Sequence, residues 1–307
     1  MNKHLVAVVA WLVTSGSSPC SIGAAIIPVP NGSFESPTTA FVDLNIDSWQ
    51  KSPKPGWYVE AGGFLWTQLT GTFKNTPPGN YDHIDNCDGD QAIWLFAVPE
   101  AGLFQDYDSV DWNDAAPSHQ FDARFEVGKT YRLTVGVIAG GGGMSNLASA
   151  EISLYYRDAA SNRVTVAAAG ITNTSTVFSN RTQFVDYSVE ARPVRPGDPW
   201  ANRGIGLQLR STVGLELQGG YWDFDNVRLS SAEEPAVSLL VAREGTNLRV
   251  QWLGAAGWGY QVQRSDELSS WADFGPLLNG TGSSLSTLVP TGDGSSTFLR
   301  LLARSPP

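Results

Sequence analysis

Apolar and polar positions alternate with a period of two through most of this chain, in short runs punctuated by Gly, Asn, Asp and Pro. The cleanest run, KTYRLTVGVIA (129–139), puts Tyr131, Leu133, Val135 and Val137 on one face and Arg132, Thr134 and Gly136 on the other. GIGLQLRS (204–211) sets Ile205, Leu207 and Leu209 inward and Gln208 and Arg210 outward. In GDQAIWLFAV (89–98), Gln91, Ile93 and Leu95 share one face, and Ala92, Trp94 and Phe96 the other. Both faces are substantially apolar, so one of them is expected to be covered by a partner or ligand. AEISLYYRD (150–158) and NRVTVAAAG predict a hairpin across RDAASN, and TQFVDYSVEA (182–191) and WDFDNVRLS (222–230) complete the series. No amphipathic helix of convincing length interrupts it. The pattern predicts an all-β fold of sandwich or barrel type.

SAEEPA (231–236) breaks the rhythm with charge and proline, as a linker does. Beyond it, AVSLLVAREG, NLRVQWLG, GYQVQRSDELSSW, SLSTLVP and TFLRLLA repeat the same grammar on a smaller scale, which predicts a second, smaller β-sandwich over 237–307. At the other end, MNKH precedes the nine-residue apolar run LVAVVAWLV (5–13) and small residues ending in IGAA. This reads as a secretory signal over 1–25, too short to span a bilayer. The organisation is therefore signal 1–25, large domain 26–231, linker 232–236 and small domain 237–307, and the expected location is secreted.

Composition supports this picture and narrows the function. The 307 residues include 32 Gly, 18 Pro and 11 Trp, and the net charge is −10. Signal removal takes one Lys and makes it −11. A nucleic-acid partner is not expected, because clustered Lys and Arg carry that binding. Only Cys87 would remain after signal removal, so the fold must rest on its core rather than on internal disulfides.

Catalytic signatures are absent. The two remaining histidines, His83 and His119, lie in no His-Glu-x-x-His frame, and there is no Gly-x-Ser-x-Gly elbow. AGGGGMSN (139–146) reads as a strand connection rather than a phosphate loop. DHIDNCDGD (82–90) is oxygen-rich, but the spacing of Asp85, Asp88 and Asp90 does not match a calcium loop of the EF-hand type, and a solvated turn accounts for it. A glycosidase pair of carboxylates could be hidden among 30 acids, without named residues. The aromatics are the remaining signal. Trp94 could serve as a stacking platform for a sugar, as could Trp57, Trp66, Trp112 or Trp200; Trp57 reads better as core or loop anchor. Gln208 and Arg210, outward on an otherwise aliphatic strand, would supply polar hydrogen bonds.

PNGSFESP (30–37) at the start of the large domain, Gly56-Trp57, VGKTYRLTVGV in the middle and WDFDNVRLS at its end resemble the family 4/9-type carbohydrate-binding modules and related galactose-binding-like jelly rolls. The likeness covers roughly residues 27–231. It implies a jelly-roll sandwich whose terminal strands lie close together beside a structural Ca²⁺. The ligands it implies are Glu35 of the opening motif and Asp225 of the closing one, with Phe34 facing the core from the first strand. The insertions FVDLNIDSWQKSPKP and NTPPGNYDHIDNCDGD depart from the compact pattern. The C-terminal region resembles small fibronectin type III-like domains of bacterial secreted proteins. The expectation is a secreted, non-catalytic protein that binds a polysaccharide or oligosaccharide through Trp94, Gln208 and Arg210. Two alternatives stand beside it: a glycan hydrolase or lyase on a jelly roll, and a structural or adhesive surface protein.

Overall fold

A computed structural model describes residues 24–61, 63–111, 116–235, 237–290 and 298–304. The signal run 5–13 and Trp112 lie outside the described residues. The protein is all-β, its only helical pieces among the described residues being two single 3₁₀ turns, Trp66–Leu69 and Leu215–Leu217. It divides into two compact units, one of them Ala25–Ser231. No helix among the described residues is long and apolar enough to cross a membrane.

In the large unit the strands are β1 (Ala25–Ile27), β2 (Val42–Asp43), β3 (Gln50–Lys51), β4 (Thr70–Lys74), β5 (Gln91–Phe96), β6 (Gly102–Gln105), β7 (Lys129–Gly141), β8 (Ser149–Arg157), β9 (Arg163–Thr172), β10 (Val185–Ala191), β11 (Gly206–Ser211) and β12 (Tyr221–Glu233). They form two sheets. The first runs β10-β7-β12-β5-β4-β2, with β1 also paired to β12; the second runs β3-β6-β11-β8-β9. The large unit's two ends thus meet at β12, with Ile26 opposite Ser230.

The alternation read from the sequence is the alternation observed. Leu133, Val135 and Val137 of β7, Ile93 and Leu95 of β5, Leu207 and Leu209 of β11 and Trp222 and Phe224 of β12 all point between the sheets and are fully buried. Each such side chain contributes about 1.5–3 kcal/mol of transfer free energy. The residues between them face outward, which gives the sandwich two outer faces, one per sheet.

One local expectation needs correcting. Phe34 is buried in the core, its ring tilted against Trp49 at 5.4 Å, but it is not on a strand. The chain turns through 30–33, and Phe34 has a left-handed φ of 56°. Phe34 and Glu35 therefore point apart because of a turn, not because of strand alternation. Asn31 holds that turn, its side-chain amide donating to the Ser36 and Asp47 carbonyls.

The small unit has β13 (Leu240–Glu244), β14 (Asn247–Leu253), β15 (Gly259–Ser265), β16 (Ala272–Asn279), β17 (Ser284–Pro290) and β18 (Phe298–Arg304). They form two three-stranded sheets, β13-β14-β17 and β16-β15-β18, around Trp252, Trp258 and Tyr260. Sequence reading missed β16, whose Gly275 and Pro276 look like a breaker. It is an edge strand, where proline's missing N–H has a place to go.

Candidate functional site

The outer face of the first sheet is built in two halves. In the lower half, loop residue Ile84 and Phe184 pack over Ala92 of β5, Ile138 of β7 and Phe73 of β4, forming a small apolar cluster of their own. In the upper half, aromatic side chains are only partly covered. Tyr221 of β12 stands opposite Phe96 of β5, their rings 6.1 Å apart, and Phe64 leans on Phe96 at 5.0 Å. The face is open here because small residues floor it. A Cβ on Gly71 would come within 2.4 Å of the Trp94 ring, and one on Gly141 within 2.2 Å of the Tyr221 ring. Both rings lie flat over backbone that no larger residue could supply.

Asp223 sits between the two halves. On β12 it is flanked by the core residues Trp222 and Phe224, so its own side chain points outward. Its register partner on β5 is Trp94, which places the two Cβ atoms roughly 5 Å apart. Its Oδ1 is shut off from solvent, and neither carboxyl oxygen accepts a hydrogen bond from another described residue. The residue as a whole is only half-buried, as befits a group at the floor of a recess. Burial pushes its carboxyl up to about 8, so it holds a proton at neutral pH. Burial, and then the charge of Asp223, raise the Tyr221 hydroxyl, which Arg181 opposes. An acid that is neutral, unpartnered and walled by rings can donate a proton to a bound molecule. The same rings can stabilise a cation formed by that transfer.

Asp225, two residues on, shows the contrast. It is fully buried, and its Oδ2 accepts the Asp88 N–H at 2.7 Å while Oδ1 accepts the Asn226 N–H at 2.6 Å. Burial outweighs these bonds and raises its carboxyl to about 7. Glu35 enters the same neighbourhood: its Oε1 accepts the Asp90 and Gln91 N–H groups at 2.9 and 2.7 Å. Between them lies Cys87, whose thiol is pushed up by burial and then by the charges of Asp225, Glu35 and Asp88. The acidic stretch 82–90 is thus not a plain solvated turn: its last residues, with Gln91 of β5, donate main-chain N–H groups to both carboxylates. Hard oxygens and surplus negative charge fit a Ca²⁺ ion. Among the described residues no three His, Cys, Asp or Glu side chains gather in a metal-holding arrangement. Glu35 and Asp225 would therefore need main-chain oxygens or water to complete a shell.

Gln208 and Arg210 do not join Trp94. They project from β11 on the outer face of the second sheet, with the core between them and Trp94. The other described candidate tryptophans are accounted for by packing. Trp66 is buried, Trp57 packs edge-on against it and donates to Glu100 at 2.8 Å, and Trp200 lies under Arg192. Asp223, Tyr221 and Phe96 were missed as a group. The available signal was alternation itself: two core aromatics one residue either side of an acid force that acid outward.

Fold and face together define a β-sandwich protein that carries an unpartnered acid among aromatic rings. The HpiC1-like family model (HpiC1 cyclase) matches residues 25–230, and the chain belongs to that family. Among solved structures it is similar to a cyclase from Fischerella sp. TAU, 23% identical with a TM-score of 0.50, covering 69% of this chain and 100% of that one. A Stig cyclase, Fisc, from Fischerella sp. TAU in complex with (3Z)-3-(1-methyl-2-pyrrolidinylidene)-3H-indole is 21% identical with a TM-score of 0.48 over the same shares. The CBM22-1 xylan-binding domain of Paenibacillus barcinonensis Xyn10C is 12% identical with a TM-score of 0.33, covering 61% of this chain and 86% of that one. No curated protein matches.

The family overturns the expectation of a non-catalytic carbohydrate-binding protein. What survives of the likeness to family 4/9-type modules is the all-β sandwich. That error has a physical source. Motifs at the two chain ends report how the sandwich closes, and different functions share that closure.

Proposed function

We propose that the large unit is a cyclase that starts ring closure by protonating a small, flat, largely apolar substrate, with Asp223 as the proton donor. The observation that carries this reading is the unpartnered Asp223 carboxyl beside Trp94 on an otherwise aromatic face. Membership of a cyclase family supports it. The carboxyl O–H bond breaks as a C–H bond forms on the substrate, leaving a carboxylate and a carbocation. Trp94, Phe96 and Tyr221 face that cation, an internal double bond or nucleophile closes the ring, and loss of a proton returns the acid. The net reaction is an isomerisation and needs no co-reactant.

Glu35 and Asp225 belong to the same reading as Ca²⁺ ligands. The ion would neutralise their charge and tie the opening turn to the last strand, with no part in the proton transfer. Secretion directed by residues 1–25 and a fibronectin type III-like spacer role for the small unit complete the proposal; the linker expected at 232–236 is shorter than that, because β12 continues through Glu233. The test is turnover of a panel of prenylated or otherwise unsaturated aromatic compounds. The 4-(1H-indol-3-yl)butan-2-one present in a Fischerella cyclase crystal is a convenient binding probe. Conversion by the wild type and none by Asp223→Asn supports the reading. Equal conversion by both overturns it.

A further inference from the structure

The outer face of the second sheet takes no part in that chemistry, yet it gathers hydrogen-bonding groups with nothing to bond. Ser153 Oγ of β8, Arg163 Nη1 of β9 and Arg210 Nε of β11 are all shut off from solvent and without a partner among the described residues, and so is Ser52 Oγ beside Gly102. Gln208 stands opposite Ser153 in register, is nine-tenths buried, and its amide makes no hydrogen bond to another described residue. A solvent-excluded donor left unmet costs about 1–3 kcal/mol, more when charged, so such groups seldom collect on one face without a reason.

The charges are equally one-sided. Arg163 reaches across the sheet from β9, its guanidinium 3.9 Å above the Phe104 ring and 5.9 Å from the Tyr155 ring. Burial lowers its pKa, helped by the nearby charges of Arg157 and Arg210 and opposed by Tyr155 and Asp106. Arg157 is satisfied, because Asp106 accepts from its Nε at 2.8 Å and from its Nη2 at 2.7 Å, and Tyr155 donates to the same carboxylate. Asp106 is thereby used up. Arg163 and Arg210 have no ion pair among the described residues; Glu151 stands opposite Arg210 in register without forming one. Arg163 Nη1 and Arg210 Nε are thus shut off from solvent on one face, with the Ser153 hydroxyl and the Gln208 amide beside them and no carboxylate bonded to either among the described residues.

We propose that this face binds a small oxyanion, a carboxylate or phosphate group, gripped between Arg163 and Arg210 and bonded from below by Ser153 and Gln208. The guanidinium fork suits either group, because both present paired oxygens to paired N–H donors. Phe104 and Tyr155 back Arg163 and hold its plane in place. The ligand is thus of the opposite chemical kind from the apolar molecule on the first sheet.

Isothermal titration of the intact protein with inorganic phosphate and with acetate, against chloride at matched ionic strength, tests this directly. The wild type should show saturable binding of phosphate, acetate or both beyond the chloride control. Arg163→Gln and Arg210→Gln should each weaken it about tenfold or more, as loss of a charge-assisted hydrogen bond does. Asp223→Asn should leave it unchanged, so failure here and failure of the cyclase reading remain distinguishable. Phosphate alone or acetate alone supports the site and tells which group it takes. No saturable binding of either anion by the wild type overturns the proposal, and so does binding that both arginine variants retain.

Discussion

The two outer faces of the sandwich rest on one core, yet they are electrostatic opposites. On the first sheet a carboxyl, Asp223, is starved of donors among Trp94, Tyr221 and Phe96, and it answers by keeping its proton. On the second sheet Arg163 Nη1, beside Phe104 and Tyr155, and Arg210 Nε find no acceptor among the described residues. Arginine cannot shed its charge at ordinary pH, so that face awaits an anion instead. Aromatic rings serve both, as walls around the acid and as a bed for the cation. The lesson is that ring placement alone does not reveal a ligand. What each face can do is decided by the polar group left unpaid among the rings.

The comparison breaks most decisively at Asp223. Asp223→Asn keeps shape and removes the proton, so turnover should fall by about 10²–10⁴-fold, the range of a lost general acid. Binding of an apolar probe should survive, which a fluorescence titration would show. A variant that keeps both binding and rate would leave the first face a mere binding surface. Trp94→Ala should lower turnover by roughly tenfold, because one ring among several is lost and cation–π contributions of about 0.5–2 kcal/mol go with it. Gly141→Ala is the indirect form of the same test on the neighbouring ring: its Cβ would come within 2.2 Å of the Tyr221 side chain and displace it. Its rate should fall toward that of Trp94→Ala.

The lower half of the first face is where the proposed metal would act. If Ca²⁺ joins Glu35 and Asp225, chelation by EDTA should lower Tm by several degrees, since a ligand at a hundred times its Kd stabilises by about 2.7 kcal/mol. Glu35→Ala should reproduce that loss and abolish any response to added Ca²⁺. An unchanged Tm in both experiments removes the ion from the account.

Much of this architecture could be read from the chain, and the reasons are local. Leu133, Val135 and Val137, or Leu207 and Leu209, alternate because one side of each strand is buried, so a period of two reports the sheet directly. Asp225 and Glu35 lie at sequence motifs, and the fold does carry both to the Cys87–Gln91 segment. The acid on the aromatic face was harder. Its character comes from Trp94, 129 residues away in sequence, and from the absence of a hydrogen bond, and neither leaves a trace in the residues next to Asp223. Pairing Gln208 and Arg210 with Trp94 failed for the same reason: alternation tells which residues point outward, but not from which sheet. β16 was missed because an edge strand tolerates the Gly-Pro that ends an inner one.

The smallest effect is also the most diagnostic, since it links the acid's chemistry to the stability of the fold. The Asp223 carboxyl holds its proton up to about 8 when folded, while an unfolded aspartate releases it near 3.8. Between those values the unfolded chain gives up a proton that the folded one keeps. Stability from this residue must therefore fall as pH rises through the window. Asn does not ionise, so Asp223→Asn escapes the loss. The variant should match the wild type near pH 4 and exceed it at pH 8. Even one unit of difference is worth about 1.4 kcal/mol, or roughly 3–6 °C in Tm for a domain of this size. The scans belong in EDTA, so that a cation at Asp225 does not itself draw the proton from Asp223. A gap that opens with pH while turnover vanishes would mark Asp223 as a group held in an unfavourable place for the sake of its proton. Equal Tm values across the window would mean the carboxyl is solvated after all, and the first face would lose its acid.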